Sequence, residues 1–203
     1  MFPKKFLVLV FLVFLFLFSP KNLTFNNSYA TSDPGAYVME ITKNAIDTLT
    51  NESVDIEKKK SQFGELFDKN FDVPSISRFV LGKYWKQASL DQKKEFIKAF
   101  RNYVVKTYSS RFSDYAGEQL KLVDFENEKN PKIFLVHTIL ERQDAPLIKV
   151  DWRIGKKKDK FVILDIIIEG ISLAVTQRSE FVSVIDQNGG SVDKLISLLK
   201  EKS

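Results

Sequence analysis

Few side chains here are equipped for proton transfer, and those few are poorly placed for it. The single histidine, His137, lies inside an apolar run and has no second histidine at the spacing of an HExxH zinc site. A lone histidine in such a run is ordinarily a structural residue with hydrogen bonds of its own. To act as a base it would need an acid, and Asp151 or Asp165 are the carboxylates within reach of that role. Asp165 and Glu169 stand four apart in one extended segment, which suits a structural carboxylate and a rim charge better than a catalytic pair. The chain holds no cysteine, which excludes thiol nucleophiles, disulfides and cysteine-ligated zinc. No P-loop, dinucleotide fingerprint or GxSxG elbow occurs. The residues therefore predict no catalytic group, no metal and no cofactor.

What the chain offers instead is apolar volume beside positive charge. The densest window is Phe71 to Ala88, FDVPSISRFVLGKYWKQA. Asp72-Val73-Pro74 reads as a turn, because proline fixes its own φ and biases the residue before it towards an extended conformation. Ser75 to Leu81 then places Ile76, Phe79 and Val80 at helical spacing, and Gly82 suits a C-terminal cap. Lys83 and Lys86 bracket Tyr84 and Trp85. Of the 18 phenylalanines, eleven lie beyond residue 30. Rings line cores and ligand pockets alike, so composition leaves both an ordinary core and an apolar-ligand carrier open.

Helices and strands that would position these groups can be read from periodicity. Ser32-Asp33-Pro34 starts a helix over about 34 to 50, with Val38, Ile41, Ala45, Ile46 and Leu49 on one face. A second helix is expected over about 55 to 69, its Lys58, Lys59 and Lys60 facing solvent. Ser89 and Gln92 form a capping box for a long helix over about 90 to 115. Phe96, Phe100, Val104, Tyr108 and Phe112 recur along it at every fourth position, a stripe that must face something large and apolar. The period then shortens to two. Segments at about 119–125, 131–142, 147–154 and 160–168 predict four strands, the first with a bulge where Val123 and Phe125 switch parity. The short turns between them imply an antiparallel meander. One face is expected to carry Ile148, Val150, Trp152 and Ile154 beside Val162, Leu164, Ile166 and Ile168. The other, with Lys149, Asp151, Arg153 and Asp165, is expected to be wetter. Two helices, about 175–186 and 191–200, close the chain around an Asn188-Gly189-Gly190 hinge. The fold class predicted is α+β, with helices packed on one face of a curved antiparallel four-stranded sheet.

At the N-terminus, Lys4 and Lys5 precede an apolar run, Phe6 to Phe18, and a polar stretch ending Ser28-Tyr29-Ala30. This is the three-part form of a secretory signal peptide. The run is too short to cross a bilayer core of about 30 Å. Cleavage after Ala30 is expected, giving a signal peptide at 1–30, one domain at 31–203 and a periplasmic location. The absence of cysteine excludes a lipoprotein anchor. Without the first 30 residues the formal net charge falls from +5 to +2, with charges of both signs interspersed, so no nucleic-acid partner is expected.

Several motifs together carry a resemblance. Phe71-Asp72, Arg78, Val80-Leu81-Gly82 and Trp85, then Asp165, Glu169-Gly170 and Ser172, and finally Arg178 and Phe181 stand in an order and spacing similar to the MlaC family, the toluene-tolerance auxiliary proteins. Trp152 departs from it, standing where a tyrosine is expected. The resemblance runs over about residues 40 to 200. It implies a non-enzymatic, monomeric periplasmic carrier of diacyl phospholipid. Such a carrier works between an outer-membrane lipoprotein and porin complex and an inner-membrane ABC transporter that maintain lipid asymmetry.

On that basis the acyl chains are expected between the inward sheet face and the ring-rich helices. The predicted lining is Phe67, Phe79, Val80, Leu81, Trp85, Phe96, Phe100, Val104, Tyr108, Val150, Trp152, Leu164, Ile166 and Ile168. Arg78, Lys83 and Lys86 are expected to meet a head group or a partner protein, and Lys156 to Lys158 are a weaker candidate for the same role. Two other readings stay open. One is a periplasmic enzyme on a cone-shaped, ketosteroid-isomerase-like sheet, using His137 with Asp151 or Asp165. The other is a lipoprotein chaperone or adaptor.

Overall fold

The computed structural model describes residues 33–51, 53–110, 118–142 and 145–203. The expected signal peptide, and the end of the long helix with Phe112, lie outside the described residues.

Helix α1 spans Pro34–Thr50, and its cap is Asp33, whose carboxylate accepts from the amides of Gly35 at 2.7 Å and Ala36 at 3.0 Å. Its inward stripe, Val38 and Ile46, is buried. A Cβ at Gly35 would stand 2.9 Å from the Leu122 side chain, so glycine there permits the close approach of α1 to the sheet. Helix α2, Ile56–Asn70, is capped by Asp55. Lys60 pairs with Glu57 at 2.7 Å on its solvent side. Helix α3 is Val73–Leu81, two residues longer at its start than periodicity suggests, because Asp72 is the cap and Pro74 fits the first turn. Gly82, at φ 60°, ends it. After one turn of helix, α4 (Tyr84–Gln87), the Ser89–Gln92 capping box opens α5, Leu90–Ser109.

The sheet has five strands rather than four: β1 Gln119–Asn127, β2 Ile133–Arg142, β3 Ala145–Lys157, β4 Lys160–Ile168 and β5 Ile171–Ser172. They run antiparallel in sequential order. Strand β5 is two residues long, after a turn through Glu169 (φ 49°) and Gly170 (φ 78°), and two residues show no period. The register of β1 shifts between Leu122 and Asp124, which is the expected bulge. A second shift corrects the predicted face of β4. Arg153 pairs with Asp165, but Ile154 pairs with Ile163, so Leu164 is an extra residue. The buried face of β4 is therefore Phe161, Ile163, Ile166 and Ile168, not Val162 and Leu164 with Ile166 and Ile168.

Helix α6, Leu173–Gln187, and helix α7, Val192–Lys202, close the chain. Gly189 and Gly190, at φ 65° and 86°, make the turn between them. Two apolar clusters result. Helix α1 covers the inward face of the sheet near β1 and β2, while α2, α3 and α6 meet β4. The second cluster lies among α2 to α7, where Phe96 stacks on Phe100 and both meet the Phe181 ring edge-on at 5.9 Å. Phe71 and Tyr108 pack against both clusters. The outer sheet face carries cross-strand charge pairs instead, Lys121 to Glu141 at 2.7 Å and His137 to Asp151 at 2.7 Å among them.

Candidate functional site

Between the two clusters lies an apolar cavity of about 90 Å³. Its walls come from α2 and the residue after it (Phe67, Phe71), α3 (Ile76, Val80) and α5 (Phe100, Tyr103, Val104, Thr107, Tyr108). Strand β4 adds Leu164, Asp165 and Ile166, and α6 adds Leu173, Ala174 and Gln177. On α5 these are positions i, i+3, i+4, i+7 and i+8 from Phe100, one continuous helical face. The chain after α2 is tied to the edge of β4 by Asp72, whose amide donates to the Ile163 carbonyl at 3.0 Å.

Asp165 holds the far wall. Its carboxylate accepts from the Ala174 amide at 3.0 Å, from the Ser172 hydroxyl at 2.5 Å and from Arg153 at 3.0 Å. Ser172 in turn caps α6 by accepting from the Val175 amide at 3.0 Å. Burial pushes the Asp165 carboxyl above the usual carboxylate range, and Ser172, Ala174 and Arg153 pull it back only part of the way. On the α3 side, Asp72 accepts from the Ser75 amide and pairs with Lys157 from the β3–β4 hairpin. Burial acts to raise the Asp72 carboxyl, but Lys157 and Ser75 outweigh it and hold the carboxyl below its ordinary range.

Seven of the fourteen predicted lining residues meet at the cavity: Phe67, Val80, Phe100, Val104, Tyr108, Leu164 and Ile166. The rest are placed elsewhere. Leu81 and Phe96 are buried within the helical cluster, and Val150, Trp152 and Ile168 are buried in the cluster that α1 covers. Trp85 is half-buried, with the Lys93 ammonium 5.7 Å from its ring. Phe79 is 40% exposed and lies under the Arg178 guanidinium at 5.1 Å. Arg78, Lys83 and Lys86 are exposed and away from the cavity, and Lys83 pairs with Asp186 at 3.0 Å. Residues not anticipated as lining are Phe71, Ile76, Tyr103, Thr107, Asp165, Leu173, Ala174 and Gln177. The helical period of α5 points to Tyr103 and Thr107, but no sequence pattern marks Gln177.

A second, open groove of about 530 Å³ runs between α5, α6 and α7. It is more polar, with Ser179, Glu180, Ser183, Gln187 and Lys202 among its lining. Tyr103 and Gln177 line both spaces. Burial and the nearby Glu180 charge raise the Tyr103 hydroxyl, while its hydrogen bond with Thr107 acts the other way.

Of the acid–base candidates, His137 and Asp151 do meet, but neither lines the cavity. His137 Nδ1 lies 2.7 Å from Asp151 on the outer sheet face, with Glu126 3.9 Å from Nε2, while Asp165 is engaged with Arg153, Ser172 and Ala174. Among the described residues no group of three or more His, Cys, Asp or Glu side chains could hold a metal ion.

Fold and site thus define a class: an α+β domain with a curved, open sheet and an apolar cavity between the edge of that sheet and a helical layer. The family described as MlaC protein matches residues 39–201, and the chain belongs to that family. It is 25% identical over 128 residues to the intermembrane phospholipid transport system binding protein MlaC of Haemophilus influenzae. That match covers 61% of this chain and spans 58% of the length of the relative. The fold is shared with a phospholipid-binding protein from Ralstonia solanacearum, solved in complex with a phospholipid, at a TM-score of 0.74 and 19% identity. That superposition covers 84% of this chain and 97% of the other.

Proposed function

We propose that this protein is a non-enzymatic phospholipid carrier of the periplasm, exported by its N-terminal segment. It takes up diacyl lipid and exchanges it between an outer-membrane complex and an inner-membrane ABC transporter. The observation that carries the proposal is the cavity itself, with Phe67, Phe71 and Phe100 facing Leu164 and Ile166 of β4. Membership of the MlaC family and the lipid-bound relative of the same fold support it. Among the described residues no helix is long and apolar enough to cross a membrane, so those residues include no helical anchor that would hold the carrier in one bilayer.

The energetics explain why enclosure is needed. Two acyl chains of about 15 methylenes each would cost on the order of 24 kcal/mol if fully exposed to water, so free transfer between membranes is negligible. A cavity of about 90 Å³ is well below the roughly 300–1,000 Å³ of sites that bury drug-sized ligands. Two chains therefore enter only as α5 and α6 part from β4, and the wall that moves is the one fastened at Asp165. Lys83 and Lys86, exposed and away from the cavity, are assigned to docking on an acidic partner surface and not to the head group.

Native mass spectrometry of the protein purified from periplasm without detergent tests the carrier reading. One phospholipid per chain is expected. Repeated gentle preparations without stoichiometric phospholipid would overturn it.

A further inference from the structure

The apolar cavity and the polar groove share two residues, Tyr103 and Gln177. At that junction the amide nitrogen of Gln177 is buried and has no hydrogen-bond partner, and it is the one such orphaned side-chain nitrogen or oxygen among the described lining residues. The other polar groups nearby are occupied: Asp165 by Ser172, Ala174 and Arg153, and Tyr103 by Thr107. A buried donor without an acceptor costs about 1–3 kcal/mol, and native proteins rarely leave one unless a ligand or water completes it.

We infer that Gln177 donates this amide hydrogen to a glycerol-ester carbonyl of the bound lipid, marking the boundary between acyl chains and head group. The inference rests on the carrier reading above and adds to it a position and a direction. In a diacyl phospholipid the ester carbonyls are the acceptors that lie between tails and phosphate. A donor set where an apolar space gives way to a polar one meets that chemistry. The tails then run from Gln177 towards Phe67 and Leu164, while the phosphate and its substituent lie in the groove of Ser179, Ser183 and Lys202. The head group accordingly lies between α5 and α6, on the side of α7.

The ester carbonyl can be removed without touching the protein. Protein is incubated with vesicles holding equal amounts of dipalmitoyl phosphatidylethanolamine and its dihexadecyl diether analogue, and the bound lipids are weighed by native mass spectrometry. A net hydrogen bond of about 1 kcal/mol corresponds to roughly fivefold preference for the ester lipid. The diether is slightly more apolar, so apolar burial alone favours it and cannot mimic that result. In Gln177→Leu, with circular dichroism confirming the fold, the ratio should fall to one or below while lipid is still bound. Equal binding of both lipids by the wild type overturns the inference and leaves the carrier reading standing. A preference that survives in Gln177→Leu overturns the assignment to Gln177. Failure to bind either lipid overturns the carrier reading, and this inference with it.

Discussion

Replacing Asp165 by alanine should loosen the whole α6 wall of the cavity, and the size of the effect follows from what the carboxylate holds. The side chain is 4% exposed and accepts three hydrogen bonds, from an amide at the start of α6, from the hydroxyl that caps α6, and from Arg153. Removing one partner of a buried pair costs about 3–5 kcal/mol, mostly through the groups left behind. Here Arg153 is 33% exposed and retains Glu128 at 2.7 Å, so it recovers part of its solvation and the lower end, about 3 kcal/mol, applies. With a urea slope of about 2 kcal/mol per molar for a chain of this size, the midpoint should fall by about 1.5 M.

Asp165→Asn separates shape from charge. It keeps an acceptor for the Ala174 amide and should lose only about 1 kcal/mol. Urea unfolding followed by circular dichroism reads both variants, and lipid retained through gel filtration reads the consequence for the cavity. Retention should fall in the order wild type, Asn, Ala. If Asp165→Ala shifts the midpoint by less than about 0.5 M, or if it retains lipid as well as wild type does, the carboxylate is not the fastening of α6.

Asp165 and Asp72 should also show opposite pH signs. The folded Asp165 carboxyl titrates above its free value of 3.8, so its linked stability is complete below that pH and is lost as pH rises through the folded value. Asp72 titrates below 3.8 when folded, so its contribution is complete above that pH and lost as pH falls through the folded value. Stability against pH for wild type minus each Asn variant should slope in opposite directions, and slopes of the same sign would contradict the two environments. Asp72→Asn should in addition cost about 1 kcal/mol at neutral pH, through the weakened α3 cap and the lost pair with Lys157. Val104→Phe should fill the cavity and lower lipid occupancy in native mass spectra several-fold, at an overpacking cost of about 1–3 kcal/mol. Full occupancy in a folded variant would move the binding site elsewhere. Charge reversal at Lys83 and Lys86 should leave lipid occupancy unchanged and weaken capture by the membrane complexes. Lower lipid retention with intact partner binding would assign these lysines to the head group.

How much could be read from the chain depends on how local the cause is. The starts of α1 and α5 were legible because Asp33 and Ser89 cap their helices with their own side chains. The β1 bulge was legible because it inverts an alternation within one strand. Phe100, Val104 and Tyr108 on α5 followed from a fourth-residue ridge. Phe79 and Trp85 did not follow, since a helix as short as α3 or α4 shows that it has an apolar face without showing which neighbour will cover it. The bulge at Leu164 has the same origin. It sits beside the Arg153–Asp165 pair and the contact of α6 with Asp165, and neither is visible within β4 itself. That irregularity is also what builds the site. Strict alternation would put Leu164 and Ile166 on one face of β4 and Asp165 on the other, with no wall at the edge. With one extra residue, Leu164 and Ile166 still line the cavity while Asp165 between them reaches the first amides of α6. One irregular stretch of β4 thus supplies both lining, through Leu164 and Ile166, and the fastening of α6, through Asp165.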